Sequence, residues 1–256
     1  MGSALFLKRV LEAIASLECR LSSAWAAAAH RRLLTVQWAL PPQPINFDHQ
    51  IDLLHGWLAS RNPRWLERGV FSSLALRGGE VLELCCGDGF MARNFYSLRS
   101  SRVVACDLDP AIIAVARRKN AGPNLAFLVA DVRTELPQGR FTNVIWDAGL
   151  EYLERAEIAQ VVEQVCARLA PGGVFSGHTV IETPGEDKAR TQHRHQFKSK
   201  EDLLAFLAAS FTNATVFDAP GDTPRALYFW ASDGVVPFSS DWTPACHHGA
   251  GLQSPR

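Results

Sequence analysis

Chemistry in this chain concentrates in the segment VLELCCGDGF, Val81 to Phe90. A short apolar run there ends at Glu83-Leu84, and Gly87 and Gly89 form a turn into the next helix. Glycines at such a turn let the backbone approach a ligand closely and take positive φ without strain. The next apolar run ends in Asp107, 24 residues after Glu83, and the following one in Ala130-Asp131. Ligands of open α/β sheets bind outside the carboxyl ends of the strands, near a topological switch point. Acidic residues at three successive strand ends therefore face one crevice. One carboxylate can hold two ribose hydroxyls, another can accept from an exocyclic amine, and a third can attract an ammonium group. A ligand with a nucleoside at one end and an amino acid at the other uses all three. The string Gly87-x-Gly89-x-x-Ala92 also fits the dinucleotide fingerprint. That leaves an NAD(P)-dependent oxidoreductase as the alternative, although it has no evident use for Asp131 and no evident catalytic Tyr/Lys pair.

Positioning these groups requires strands alternating with helices. Short apolar runs at Val81–Leu84, Val103–Cys106, Leu125–Val129, Val144–Trp146 and Val174–Phe175 alternate with helical segments. Asp109-Pro110 opens a helix through Lys119. Another spans Arg155–Leu169 and is ended by Pro171-Gly172-Gly173. This alternation predicts a mostly parallel sheet with helices on both faces. Ser199-Lys200-Glu201-Asp202 resembles a capping box and starts a helix to about Ser210. Strands Ala214–Phe217 and Ala226–Trp230 follow, separated by Pro220-Gly221-Asp222. That turn is too short for a helical crossover, so the two should be antiparallel.

Upstream, Val10, Ile14, Leu17, Leu21, Trp25 and Ala28 recur at three- and four-residue steps, one apolar stripe of a helix. The stripe is expected to pack on the chain's own domain. A helix over Phe47–Ala59 and another opened by Asn62-Pro63 complete an N-terminal helical extension, residues 1–76. The sheet domain is placed at 77–233 and a C-terminal tail at 234–256. Cys246-His247-His248 lies in that tail without a fourth ligand, and no metal site is expected.

The 256 residues carry 26 Lys and Arg against 26 Asp and Glu. This balance lacks the basic excess of a dedicated nucleic-acid binder. No stretch free of charge reaches the roughly 20 residues of a membrane span. Six cysteines without CxxC spacing argue against a disulfide framework or structural zinc. A cytoplasmic setting is the expectation.

In order and spacing, these segments resemble the Rossmann-like, class I S-adenosylmethionine-dependent methyltransferases. VLELCCGDG is similar to their glycine-rich first motif and VVACDLDP (Val103–Pro110) to the ribose-binding second. LAFLVADV (Leu125–Val132) is similar to the adenine-contacting third and FTNVIWDAGLEYL (Phe141–Leu153) to the fourth. RLAPGGVF (Arg168–Phe175) resembles the turn into the fifth strand. The resemblance covers about Glu80 to Trp230. It implies a mostly parallel, seven-stranded α/β sheet with a C-terminal antiparallel strand, and S-adenosyl-L-methionine as cofactor. Gly87, Asp88 and Gly89 would pass under the cofactor, and Glu83 would lie near the methionine ammonium. Asp107 would hold the ribose diol with Leu108 on the adenine; Asp131 and the Val132 amide would contact the ring. The family's first motif glycine is Cys85 here, expected to have strand-like or bridging dihedrals with its thiol beside the cofactor. The plainer reading of Asp107 and Asp131 is a helix cap or turn residue.

The resemblance implies no universal catalytic residue, because displacement at a sulfonium mainly needs alignment. Asp147, ending the fourth strand, is the first candidate to bind or deprotonate an acceptor, followed by Tyr152, where relatives often have His, and His178. Glu151, Glu182 and the His193-Arg194-His195 loop are further candidates. The expected acceptor is a small molecule, with a protein acceptor as the other case. A non-catalytic binding module on the same fold is a third reading.

Overall fold

The computed structural model describes residues 64–182, 193–219 and 226–235, with interrupted helical positions between 9 and 32. The Phe47–Ala59 helix, the Asn62-Pro63 cap, most of the Glu182–Gln196 loop, the Pro220-Gly221-Asp222 turn and Cys246–His248 lie outside the described residues.

Helix α1 (Arg64–Ser73) precedes β1 (Glu80–Leu84), α2 (Phe90–Asn94), β2 (Arg102–Asp107), α3 (Pro110–Lys119), β3 (Leu125–Val129) and β4 (Phe141–Asp147). Then come α4 (Arg155–Arg168), β5 (Leu169–Val180), α5 (Lys200–Ala208), β6 (Asn213–Ala219) and β7 (Ala226–Ser232). The seven strands are ordered β3-β2-β1-β4-β5-β7-β6. The first five are parallel. β7 runs antiparallel between β5 and β6, so the expected antiparallel pair forms and also closes the sheet. The order reverses between β1 and β4, which places the switch-point crevice at their carboxyl ends.

Local chemistry explains the element boundaries. Asp109 caps α3 by accepting from Ala111 N at 2.7 Å, with Pro110 in the first turn. Ser199 accepts from Asp202 N at 3.2 Å, while Asp202 Oδ2 accepts from Lys198 N, one residue before the reciprocal capping-box position. β5 extends through the Pro171-Gly172-Gly173 segment read from sequence as a helix stop, with a register irregularity opposite Phe141 and Asn143.

The central strands are covered on both faces, which is why their sequences are nearly continuous apolar runs. Successive residues alternate between two cores: Leu82 and Leu84 pack with α4 and α5, Val81 with α2 and α3. A third core joins α1 to β7 and β6, where Phe71 stacks on Trp230 at 4.3 Å between centroids. Thus α1, on the extension side of the expected 76/77 boundary, is tied into the sheet. The N-terminal stripe is different. Val10, Ile14, Leu17, Leu21 and Trp25 are all exposed, Trp25 to 80%. This corrects the expectation that the stripe packs on its own domain: the sheet faces are already occupied by α1–α5. Among the described residues, no helix is long and apolar enough to cross a membrane.

Candidate functional site

The loop after β1 is fixed by its own backbone. Cys86 N donates to Cys106 O at 2.9 Å, and Gly89 N to Cys86 O at 3.0 Å. Gly87 N donates to Asp107 Oδ2 at 3.0 Å, tying the loop to the end of β2. A β-carbon at Gly89 would come within 2.5 Å of the Phe127 ring, so this glycine is required for the close packing of loop on β3.

Cys85 departs from expectation. Its φ is 54°, in the left-handed region, not strand-like or bridging. The loop hydrogen bonds above hold the following residues in place, and the chain has to turn sharply between β1 and Cys86. Its side chain faces Gly149 and Trp146 at the end of β4. Burial pushes the thiol well above its ordinary pKa, which keeps it neutral.

Asp107 is half-buried. Its Oδ1 accepts from Asp109 N at 3.0 Å, so each oxygen holds one backbone amide and retains acceptor capacity for a diol. Burial raises its pKa, opposed by those amides. Beside it, Leu108 is 57% and Val129 50% exposed, an apolar surface suited to a flat ring. Val132 is buried in the core, leaving its backbone as the relevant group. Asp131 is engaged by the Arg133 side chain at 2.7–3.2 Å and accepts from Arg133 N, a local pair that lowers its pKa. Asp88 accepts from Phe90 N at 3.1 Å, opening α2, and its carbonyl holds Asn120.

Glu83 is buried at the end of β1, and among the described residues its Oε2 has no hydrogen-bond partner. Burial, then Asp147, Asp88 and Asp107, push its carboxyl well above the ordinary value of 4.5. An unpartnered acceptor at this depth fits a ligand ammonium. Between 4.5 and the raised value the folded state binds more protons than the unfolded chain, so stability falls as pH rises through that window. Asp107 and Glu151 shift in the same direction. Glu83→Gln should therefore stabilise the protein at neutral pH and flatten the decline. Melting temperatures of both proteins from about pH 5 to pH 8 check this; parallel curves would exonerate Glu83.

The acceptor-side candidates gather at the ends of β4 and β5. Asp147 and His178 are register partners, with His178 Nδ1 3.9 Å from Asp147 Oδ1. The dominant contact of Asp147 was not legible in sequence. Arg68 of α1 donates from Nε to Oδ1 at 2.9 Å and Oδ2 at 3.2 Å, and from an η nitrogen to the Asp147 carbonyl at 3.2 Å. Burial pulls the guanidinium down, but Asp147 outweighs this and raises it. The carboxylate expected to face the acceptor as a base is thus half of a buried ion pair. No pattern around Arg68 marks it beforehand; only the docking of α1 brings it there.

Past Asp147, Ala148 and Gly149 have φ of 65° and 106° and lead into the single turn Leu150–Tyr152. Glu151 Oε2 accepts from Gly149 N at 3.0 Å and faces Thr179 Oγ1 at 3.4 Å. Its carbonyl accepts from Arg194 N and His195 N, and Arg194 pairs with Glu154 and Glu157. Tyr152 meets His193 edge-on at 5.5 Å, and burial raises its phenol pKa. The His193–His195 segment is therefore fixed across this loop.

Comparison with known proteins agrees with this geometry. The methyltransferase domain family model matches residues 81–173. A ribosomal protein L11 methyltransferase of Aliivibrio salmonicida is 28% identical over 125 residues, 49% of this chain and 40% of that protein. The counterpart in Geobacter metallireducens is 32% identical over 102 residues, 39% and 32% of the two chains. The chain spans about two fifths of the first of these relatives. Among solved structures, N-methyltransferase NodS from Bradyrhizobium japonicum superposes with TM-score 0.56 at 16% identity, covering 68% of this chain and 98% of that one. A DhpI complex with S-adenosylhomocysteine superposes at 0.55 and 21% identity, covering 83% and 95%. At these identities the solved structures establish the shared fold. Strand order, glycine loop and family match agree: residues 81–173 match the methyltransferase domain family, and they lie on the Rossmann-like fold shared with these solved methyltransferase structures.

Proposed function

We propose that this chain transfers a methyl group from S-adenosylmethionine to a small-molecule acceptor in a cytoplasmic setting. The observation that carries the reading is the Gly87 N–Asp107 Oδ2 bond at the switch point, which aligns a glycine loop and a diol-binding carboxylate in one crevice. The cofactor, when bound, supplies an electrophilic methyl on a sulfonium with a good leaving group. Asp107 accepts the ribose hydroxyls, Leu108 packs on the adenine, and Glu83 faces the methionine ammonium. Asp131 takes the adenine amine alongside its bond to Arg133.

On the acceptor side, Asp147 orients through Arg68 while His178 and Tyr152 line the approach. Asp147, Glu151 and His178 are 8%, 5% and 4% exposed, a depth that suits a small molecule or a single inserted side chain and not a broad surface. The protein acceptor named for the L11 methyltransferases is the competing case. The left-handed Cys85 supports a second reading, a binding module whose cofactor loop is impaired.

Calorimetric titration with S-adenosylmethionine, S-adenosylhomocysteine and NAD separates these. Binding of both adenosyl compounds without NAD is expected. NAD alone would indicate the oxidoreductase, and binding of none would indicate a module without cofactor. Radiolabelled methyl transfer into separated small-molecule and protein fractions then decides the acceptor class.

A further inference from the structure

Among the described residues, the non-glycine residues with left-handed backbone are Cys85 and Ala148. They follow β1 and β4, adjacent parallel strands whose last register pair is Leu84 and Trp146. Such conformations are unfavourable for residues with a β-carbon and persist only where surrounding structure imposes them; they cluster at functional sites. Here two occur side by side, one on the cofactor loop and one on the loop leading to Glu151 and Tyr152.

The Cys85 side chain lies between these loops. A β-carbon placed at Gly149 would fall 3.1 Å from Cys85 Cβ, 3.2 Å from Cys85 Sγ and 3.0 Å from Trp146 Nε1. The thiol thus fills the volume that a side chain at 149 would need, and the absence of one at Gly149 lets the second loop approach it closely. Burial keeps the thiol protonated, so it acts by its bulk and not as a nucleophile. Downstream, Ala148 N donates to His178 O, Gly149 N to Glu151 Oε2, and Tyr152 N and Leu153 N to carbonyls within the turn. Movement at Gly149 is therefore passed to Glu151, Tyr152 and His178. A glycine at position 85, as in the family's motif, would make no such contact.

We propose that Cys85 is a positioning residue: its side chain is the spacer through which occupancy of the 85–89 loop sets the placement of the acceptor-side loop 148–152. This rests on the methyltransferase reading. It makes acceptor alignment depend on cofactor binding in this chain.

Amide hydrogen exchange of the full chain, with and without S-adenosylhomocysteine, tests it. In wild type the ligand should slow exchange about tenfold in both 85–90 and 148–153, whose amides report loop opening. In Cys85→Gly, 85–90 should remain protected while protection of 148–153 falls below about threefold. Cys85→Ser, close in volume, should keep both. Equal protection of 148–153 in Cys85→Gly and wild type would overturn the inference, as would its absence in wild type while 85–90 is protected. If the ligand protects neither segment in wild type, the methyltransferase reading fails and takes this inference with it.

Discussion

Arg68→Met should destabilise the protein by about 3–5 kcal/mol, because removing one partner of a buried ion pair strands the other charge. Among the described residues, Asp147 would retain only His178 at 3.9 Å, in a position where its side chain is 3% exposed. The desolvation of both ions limits what the intact pair contributes, so replacing both is milder than replacing one. Arg68→Met combined with Asp147→Asn should recover at least half of the loss, since the amide keeps the shape but no longer carries an uncompensated charge. Urea denaturation of the wild type, both single variants and the double variant closes the cycle. A loss below about 1 kcal/mol for Arg68→Met would mean water reaches Asp147 and the pair is effectively a surface one. Because α1 also packs through Phe71 on Trp230, the variant should loosen α1 first, which exchange of the α1 amides would reveal. The helix ahead of the matched domain thus holds the carboxylate proposed to stand at the acceptor end.

Asp107→Ala should weaken S-adenosylhomocysteine binding by about 1.5–3 kcal/mol, the range for hydrogen bonds to a charged group. At about 1.4 kcal/mol per decade this is roughly 10- to 150-fold in Kd. The variant removes the proposed diol acceptor and also frees Gly87 N, so loop order falls with it. Asp107→Asn separates the two contributions. One oxygen remains for either Gly87 N or a hydroxyl, and the loss should be intermediate. Calorimetric titration of folded variants is the measurement. Unchanged affinity in Asp107→Ala would leave the carboxylate as an anchor for Gly87 and Asp109 alone, the plainer role weighed from sequence.

Features that depend on local pattern could be read directly from the order of residues. The alternation of apolar runs and helical segments implied the parallel sheet, because strands covered on both faces must be apolar throughout. The Asp109-Pro110 cap and the close spacing of β6 and β7 followed from backbone chemistry that acts within a few residues. The glycine loop and the acidic strand ends were legible because Gly87, Gly89 and Asp107 are short-range signals placed by strand length. Tertiary structure decided the rest. The sign of φ at Cys85 depends on hydrogen bonds from Cys86 to Cys106 and from Gly87 to Asp107, contacts some twenty residues apart. The partner of Asp147 is 79 residues away in the chain, and no periodicity identifies Arg68 among the other arginines. The N-terminal stripe has the pattern of a core-facing helix, yet its apolar residues are exposed. Periodicity states which face is apolar; whether a surface remains to receive that face is settled only by how the other helices cover the sheet.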